Sequence, residues 1–143
     1  MGIALCFNDS SQSAYGSVVY LKFSHLDETK TAFVISKSRV APLKKLSLPR
    51  LELMAALLGA RLIASIREHF AKFNMWTDSK IVIHWIKNNP RRWKTLVQNR
   101  VAEIQEKTPP EVYTHVHKLR IMKFRQRKRQ KQNKFDLFVK SIY

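Results

Sequence analysis

At 143 residues the chain is long enough for one domain with a buried core, and its single cysteine excludes an internal disulfide and a cysteine-based zinc site. No apolar run is long enough to span a bilayer, and the first residues lack the basic-then-apolar build of a signal peptide. Cys6 stands where myristoylation requires Ser or Thr, so the expectation is an intracellular protein, of cytoplasm or nucleus, with no membrane or disulfide-linked partner. A formal net charge of +17 favours polyanionic partners. Residues 118–143 carry ten Lys and Arg against one acid, Asp136, and the preceding residues carry 17 against nine, so the body is basic in its own right.

In chain order, residues 3–8 form a short apolar run that predicts a strand, with Cys6 as a buried, inert thiol. Residues 8–13, Asn-Asp-Ser-Ser-Gln-Ser, are turn chemistry. Val- and Tyr-rich residues 16–23 predict a second strand, 25–30 a polar hairpin connection and 31–38 a third strand, together an antiparallel meander. A basic loop containing Pro42 spans 39–47. The one long helix is expected from 48 to about 70. Pro49 suits its first turn, and Leu51, Ala55, Leu58, Leu62 and Ile66 make its buried stripe. Residues 74–77 predict a brief strand ended by Asp78. Residues 79–88 predict a helix anchored by Ile81, Ile83 and Trp85 and stopped by Pro90. A third helix is expected over 95–107 with Leu96, Val97, Val101 and Ile104 inward, and a last strand over 112–117. Residues 1–117 are therefore expected to form the domain and 118–143 a basic, irregular or disordered tail with an apolar patch at 135–143. Strands first, then alternating helices and strands, make an α/β arrangement of a mixed sheet with helices on its faces.

Ten acids exist in the chain, and three occupy special places. Asp9 follows the first strand and Asp78 the fourth. If those strands lie side by side and parallel, both acids emerge where such sheets place their ligands. Glu52, near the start of the long helix, is within reach of the same end. Three converging carboxylates repel one another unless a hard divalent ion accepts their oxygens, Mg²⁺ above all. A pair of such ions about 3.5–4 Å apart serves phosphodiester hydrolysis. Each acid also has an ordinary reading: Asp9 in an Asx turn with Ser10 and Ser11, Asp78 as a helix cap, Glu52 as a first-turn charge favoured by the helix dipole.

The wording around these acids is specific. Residues 7–16 (Phe-Asn-Asp-Ser-Ser-Gln-Ser-Ala-Tyr-Gly), 36–53 (ending Leu-Ser-Leu-Pro-Arg-Leu-Glu-Leu), 56–62 (Ala-Leu-Leu-Gly-Ala-Arg-Leu), 76–82 (Trp-Thr-Asp-Ser-Lys-Ile-Val), 90–95 (Pro-Arg-Arg-Trp-Lys-Thr) and 99–105 (Asn-Arg-Val-Ala-Glu-Ile-Gln) closely resemble the ribonuclease H-like segment of BEL/Pao retrotransposon polyproteins, over about residues 4–116. The resemblance implies a ribonuclease H-like five-stranded mixed sheet flanked by helices, its first and fourth strands parallel neighbours. It implies cleavage of RNA in an RNA–DNA hybrid with Mg²⁺ or Mn²⁺. By motif position it makes Asp9, Glu52 and Asp78 the catalytic, metal-binding acids. The family places a fourth acid on a helix after the last strand, in an Asn-Pro-Ala-Asp-Leu setting. This chain leaves the pattern after Val116, so that helix is expected to be missing or altered and hydrolysis impaired. Asp136 echoes the motif too late to be its equivalent. A frameshift, read-through or altered splice would explain the change of texture, and the other parts of the polyprotein are expected to be absent.

The hybrid's backbone would be held by Lys44, Lys45 and Arg50 beside the Glu52 end of the helix, and by Arg91, Arg92 and Lys94 with Trp93 among them. Against that stands a solvated basic loop with Trp93 tucked into the core. Residues 125–134 resemble a nonspecific nucleic-acid or nuclear-localisation run, or a translation by-product. His115 and His117 share a strand face but lack further zinc ligands, and Trp76 and Trp85 are expected in the core. The region is also labelled a Pao retrotransposon peptidase, but neither Asp9 nor Asp78 has the glycine of an aspartic-peptidase turn. The alternative to the nuclease is a catalytically inactive nucleic-acid-binding remnant.

Overall fold

The computed structural model describes residues 2–117, so the expectations for residues 118–143, Asp136 included, lie outside the described residues. β1 (Ile3–Ser10) pairs antiparallel with β2 (Ala14–His25), which pairs antiparallel with β3 (Glu28–Val40). The chain continues through α1 (Leu48–Ile66), β4 (Lys72–Thr77), α2 (Lys80–Ile86), α3 (Thr95–Lys107) and β5 (Tyr113–His115). The sheet order is β3-β2-β1-β4-β5, with β4 parallel to both β1 and β5. This is the mixed five-stranded sheet expected, with the first and fourth strands as parallel neighbours.

β1 lies at the centre and is buried from Ala4 through Asp9. Its residues alternate between two cores, as a pleated strand requires. Ala4 and Cys6 join Val19 and Met75 against Leu53, Ala56 and Ile63 of α1 and Val101 of α3. Leu5 and Phe7 face the other way with Val18, Trp76 and Val116. Cys6 is buried as expected, and burial pushes its thiol pKa up, which keeps it protonated and inert.

β2 and β3 are longer than the sequence pattern indicates. The expected polar connection over 25–30 contracts to Leu26 and Asp27, whose φ angles of 48° and 63° mark a primed hairpin turn, and pairing starts at once with His25 opposite Glu28. The far end of this hairpin is exposed, so its sequence reads as polar rather than as alternating strand. A bulge at Val34 resets the register between the Val19–Ile35 and Tyr20–Phe33 pairs.

α1 begins with Pro49 in its first turn, where the missing N–H costs nothing, and stops at Ile66, short of the expected end near 70. A 3-10 turn, Arg67–His69, follows because those polar side chains have no buried surface to follow. Ten of the 19 residues of α1 are buried, a wider band than the predicted stripe, since the helix is covered by the sheet on one side and by α3 on another. In α2 the buried anchors are Val82 and Ile86; Ile83 and Trp85 pack partly, and Ile81 is exposed, so the predicted set is displaced by one position. α3 has the predicted bounds and inward residues, with Leu96 partly covered. The Arg61–Glu103 pair joins α1 to α3 at 2.8 Å but is exposed, so it contributes little to stability.

Candidate functional site

The β1–β4 pairing decides where two of the acids lie. Asn8 is opposite Thr77 in the parallel register, so Asp9 and Asp78 lie at the same end of the sheet. Asp78 follows β4 as expected, but Asp9 lies inside β1 rather than after it, because pairing with β2 carries the strand on to Ser10. Asp9 is buried, and its Oδ1 accepts the Ser10 N–H at 2.9 Å. The turn beyond it is held by Ser11, whose Oγ accepts the N–H groups of Ser13 and Ala14 at 3.2 and 3.3 Å. Ser11 N–H also donates to the Ala14 carbonyl at 2.7 Å.

Asp78 does not cap α2, contrary to its ordinary sequence reading. The cap is Ser79, whose Oγ accepts the Val82 N–H at 3.3 Å. Asp78 is half-buried, and among the described residues its buried Oδ1 has no hydrogen-bond partner. Burial pushes its carboxyl pKa above the usual range, against the opposing effects of its own backbone N–H and of His115. His115 stands beside it by the β4–β5 pairing, and its Nε2 lies 3.2 Å from the Asp78 carbonyl.

Glu52 is not a first-turn charge, since the first turn of α1 holds no acid. Its half-buried carboxylate takes a hydrogen bond from the Ser79 hydroxyl, which brings it to the β4–α2 junction. Burial raises its pKa, the Ser79 bond lowers it, and the nearby Asp78 charge raises it further. Ser79 and His115 are therefore site neighbours that sequence reasoning missed. An Asp-Ser step after a strand was a legible capping signal for Ser79, whereas His115 depends on β4–β5 pairing and had none.

Among the described residues, no three His, Cys, Asp or Glu side chains form a gathered metal-holding group. The donor chemistry nevertheless fits a hard divalent ion: all three acids offer oxygen, and Asp78 carries a buried oxygen that nothing else satisfies.

A pH dependence follows from the raised pKa values of Glu52 and Asp78. In the window between the ordinary carboxylate pKa and the raised folded value, the folded chain holds more protons than the unfolded chain, so stability falls as pH rises through it. Metal-free Glu52→Gln protein is expected to escape part of that fall. It should melt higher than wild type at neutral pH and show a smaller difference near about pH 3, as measured by thermal denaturation with a chelator present.

Lys44 and Lys45 are exposed between β3 and α1, and Arg50 is half-buried in the first turn of α1. Lys45 shares an open groove with Gln12, Leu46 and Ser47. Arg91 and Arg92 are exposed in a 3-10 turn, and Lys94 is exposed at the start of α3. Trp93 between them is half-buried rather than free: its Nε1 donates to the Trp85 carbonyl at 3.2 Å, His84 meets its ring edge-on, and the Arg92 guanidinium lies 5.4 Å from its centroid. The two basic groups thus sit on different elements, one at the start of α1 and one between α2 and α3. Trp76 is buried and Trp85 partly so, as expected. No helix among the described residues is long and apolar enough to cross a membrane.

The fold is shared with solved structures, among them two RNase H domains. The N-terminal RNase H domain of a Mycobacterium tuberculosis protein, solved as a fusion with maltose binding protein, matches with a TM-score of 0.54 at 12% identity, covering 100% of both chains. LC11-RNase H1, solved in complex with an RNA/DNA hybrid, matches with a TM-score of 0.52 at 10% identity, covering 82% of this chain and 86% of that one. At such identities the likeness is one of architecture. No curated protein matches the chain. The family model described as Pao retrotransposon-like RNaseH-like domain matches residues 3–79, more than half of the chain and a span that holds all three acids. The chain therefore belongs to the Pao retrotransposon-like RNaseH-like domain family.

Proposed function

We propose that this domain hydrolyses the RNA strand of RNA–DNA hybrids in a reaction that requires Mg²⁺ or Mn²⁺, with Asp9, Glu52 and Asp78 as the acids that hold the metal. The observation that supports the reading is the placement of Asp9 and Asp78 at one end of the sheet, with the Glu52 carboxylate near Asp78. Asp9 and Asp78 follow paired positions of parallel strands, and the Glu52 carboxylate feels the Asp78 charge. When bound, a divalent ion supplies electrostatic stabilisation of the charge that develops on a phosphodiester. The Ser79 hydroxyl orients Glu52, and Asp78 presents an oxygen that no protein donor occupies among the described residues. Lys44, Lys45 and Arg50 hold phosphates near the Glu52 end of α1, while Arg91, Arg92 and Lys94, braced by Trp93, hold a second stretch of backbone. The described residues offer three such carboxylates where the related pattern has four, so slow turnover is expected.

The test is cleavage of a labelled hybrid by the full chain with Mg²⁺ or Mn²⁺, with double-stranded DNA as the substrate control and Glu52→Gln as the protein control. Metal-dependent cutting of the RNA strand, lost in Glu52→Gln, is the expected result. Salt-sensitive binding to the hybrid with no cutting under either metal would overturn the nuclease reading and leave an inactive binding module.

A further inference from the structure

Asn8 is 1% exposed, and a side-chain amide at such a position is costly unless its hydrogen bonds are met. Its Nδ2 donates to the Trp76 carbonyl of β4 at 3.2 Å. Its Oδ1 accepts from the Ser17 hydroxyl of β2 at 2.7 Å, with the Cys6 thiol at 3.5 Å. The same Ser17 Oγ lies 2.8 Å from the Ala55 carbonyl of α1, so its single proton sits between two acceptors. Because the Trp76 carbonyl only accepts, the amide has one orientation. Gly59 of α1 makes room for it, since a Cβ there would overlap Asn8 Oδ1.

The placement of these partners carries the argument. Asn8 is adjacent to Asp9, Trp76 is two residues before Asp78, and Ala55 is three residues after Glu52. One buried amide, with the help of one hydroxyl, therefore ties together the three elements that bear the acids, close to each acid. The Asn8 side chain is turned toward α1 and its hydrogen bonds go to Trp76 and Ser17 and to none of the three acids, so the amide acts through the backbone. An apolar side chain would fill this site in the core but would not fix the spacing between strand and helix.

We infer that Asn8, with Ser17, is a positioning residue that sets the mutual spacing of Asp9, Glu52 and Asp78. The inference rests on reading those acids as the metal-holding group, and it concerns metal affinity. Groups hydrogen-bonded directly to ligating side chains typically change metal affinity about 10–100-fold when removed, and Asn8 acts one step further back, through the backbone, so the low end of that range is expected.

The experiment measures Mn²⁺ binding by calorimetry, alongside thermal denaturation of the metal-free full chain, for wild type, Asn8→Ala, Ser17→Ala and Val101→Ala. Val101 is buried in α3 and belongs to no part of the acid grouping, so it controls for a general loss of stability. Asn8→Ala should weaken Mn²⁺ binding about tenfold, and Ser17→Ala should weaken it in the same direction but less. Val101→Ala should lower the melting temperature while holding Mn²⁺ affinity within about twofold of wild type. If Asn8→Ala does not melt cooperatively, Ser17→Ala decides. Wild-type binding that is unchanged in the decisive variant, or an equal loss in Val101→Ala, overturns the inference alone. A wild-type chain that takes up no Mn²⁺ overturns the metal reading and this inference with it.

Discussion

Asp78→Asn is expected to lower divalent-metal-dependent cleavage of the RNA strand by roughly 10²–10³-fold, a loss of the size seen when one electrostatic group is removed from an active site. The change is nearly isosteric, so the β4–α2 junction is retained: Ser79 still caps α2 through Val82, and His115 still meets the residue 78 carbonyl, which is backbone. What disappears is a half-buried negative charge whose Oδ1 has no protein donor among the described residues. Burial already disfavours that charge in the folded chain, so its removal should not cost stability when no metal is present. A steady-state rate with Mn²⁺ and a melting curve with a chelator separate the two effects. A variant that loses activity and stability together would mean that Asp78 holds up the fold, and a variant of wild-type rate would remove it from the site.

Gly59→Ala is expected to destabilise the domain by about 3 kcal/mol, combining overpacking in a filled core with a disturbed buried hydrogen bond. In most helix interiors the change from Gly to Ala is favourable by up to about 1 kcal/mol. Here the new methyl would overlap Asn8 Oδ1 and press on Cys6 Sγ at 3.0 Å, and both neighbours belong to the central strand, which cannot yield easily. For a domain of this size that loss corresponds to a fall in melting temperature of roughly 10 °C. Circular dichroism melting measures it. Shortening the opposing side chain in the Asn8→Ser/Gly59→Ala double variant should recover part of the loss, because it removes the overlap. A Gly59→Ala protein that melts with wild type would show that the close approach of α1 to β1 is not a tight one.

Several features of the fold were legible because they depend on short-range pattern. The limits of α3 follow from its spacing of apolar residues and the prolines beyond it. The start of α1 follows from Pro49. The errors have equally local causes. The end of the β2–β3 hairpin is exposed on both faces, so it lacks the alternation that identifies a strand. The inward face of α2 was misjudged by one position because seven residues make barely two turns, too few for periodicity to select one side.

The sequence by itself determined the kinds of element, their order, the resemblance that named the fold, and the few acids able to hold a divalent ion, since composition, periodicity and motif wording are all carried along the chain. Tertiary structure alone decided that Asp9 lies within β1 rather than beyond it, that Ser79 rather than Asp78 caps α2, and that Asn8 meets a carbonyl 68 positions away. Those relations arise from pairing between distant segments and from the close approach of a helix to a sheet, and local side-chain pattern holds no record of either.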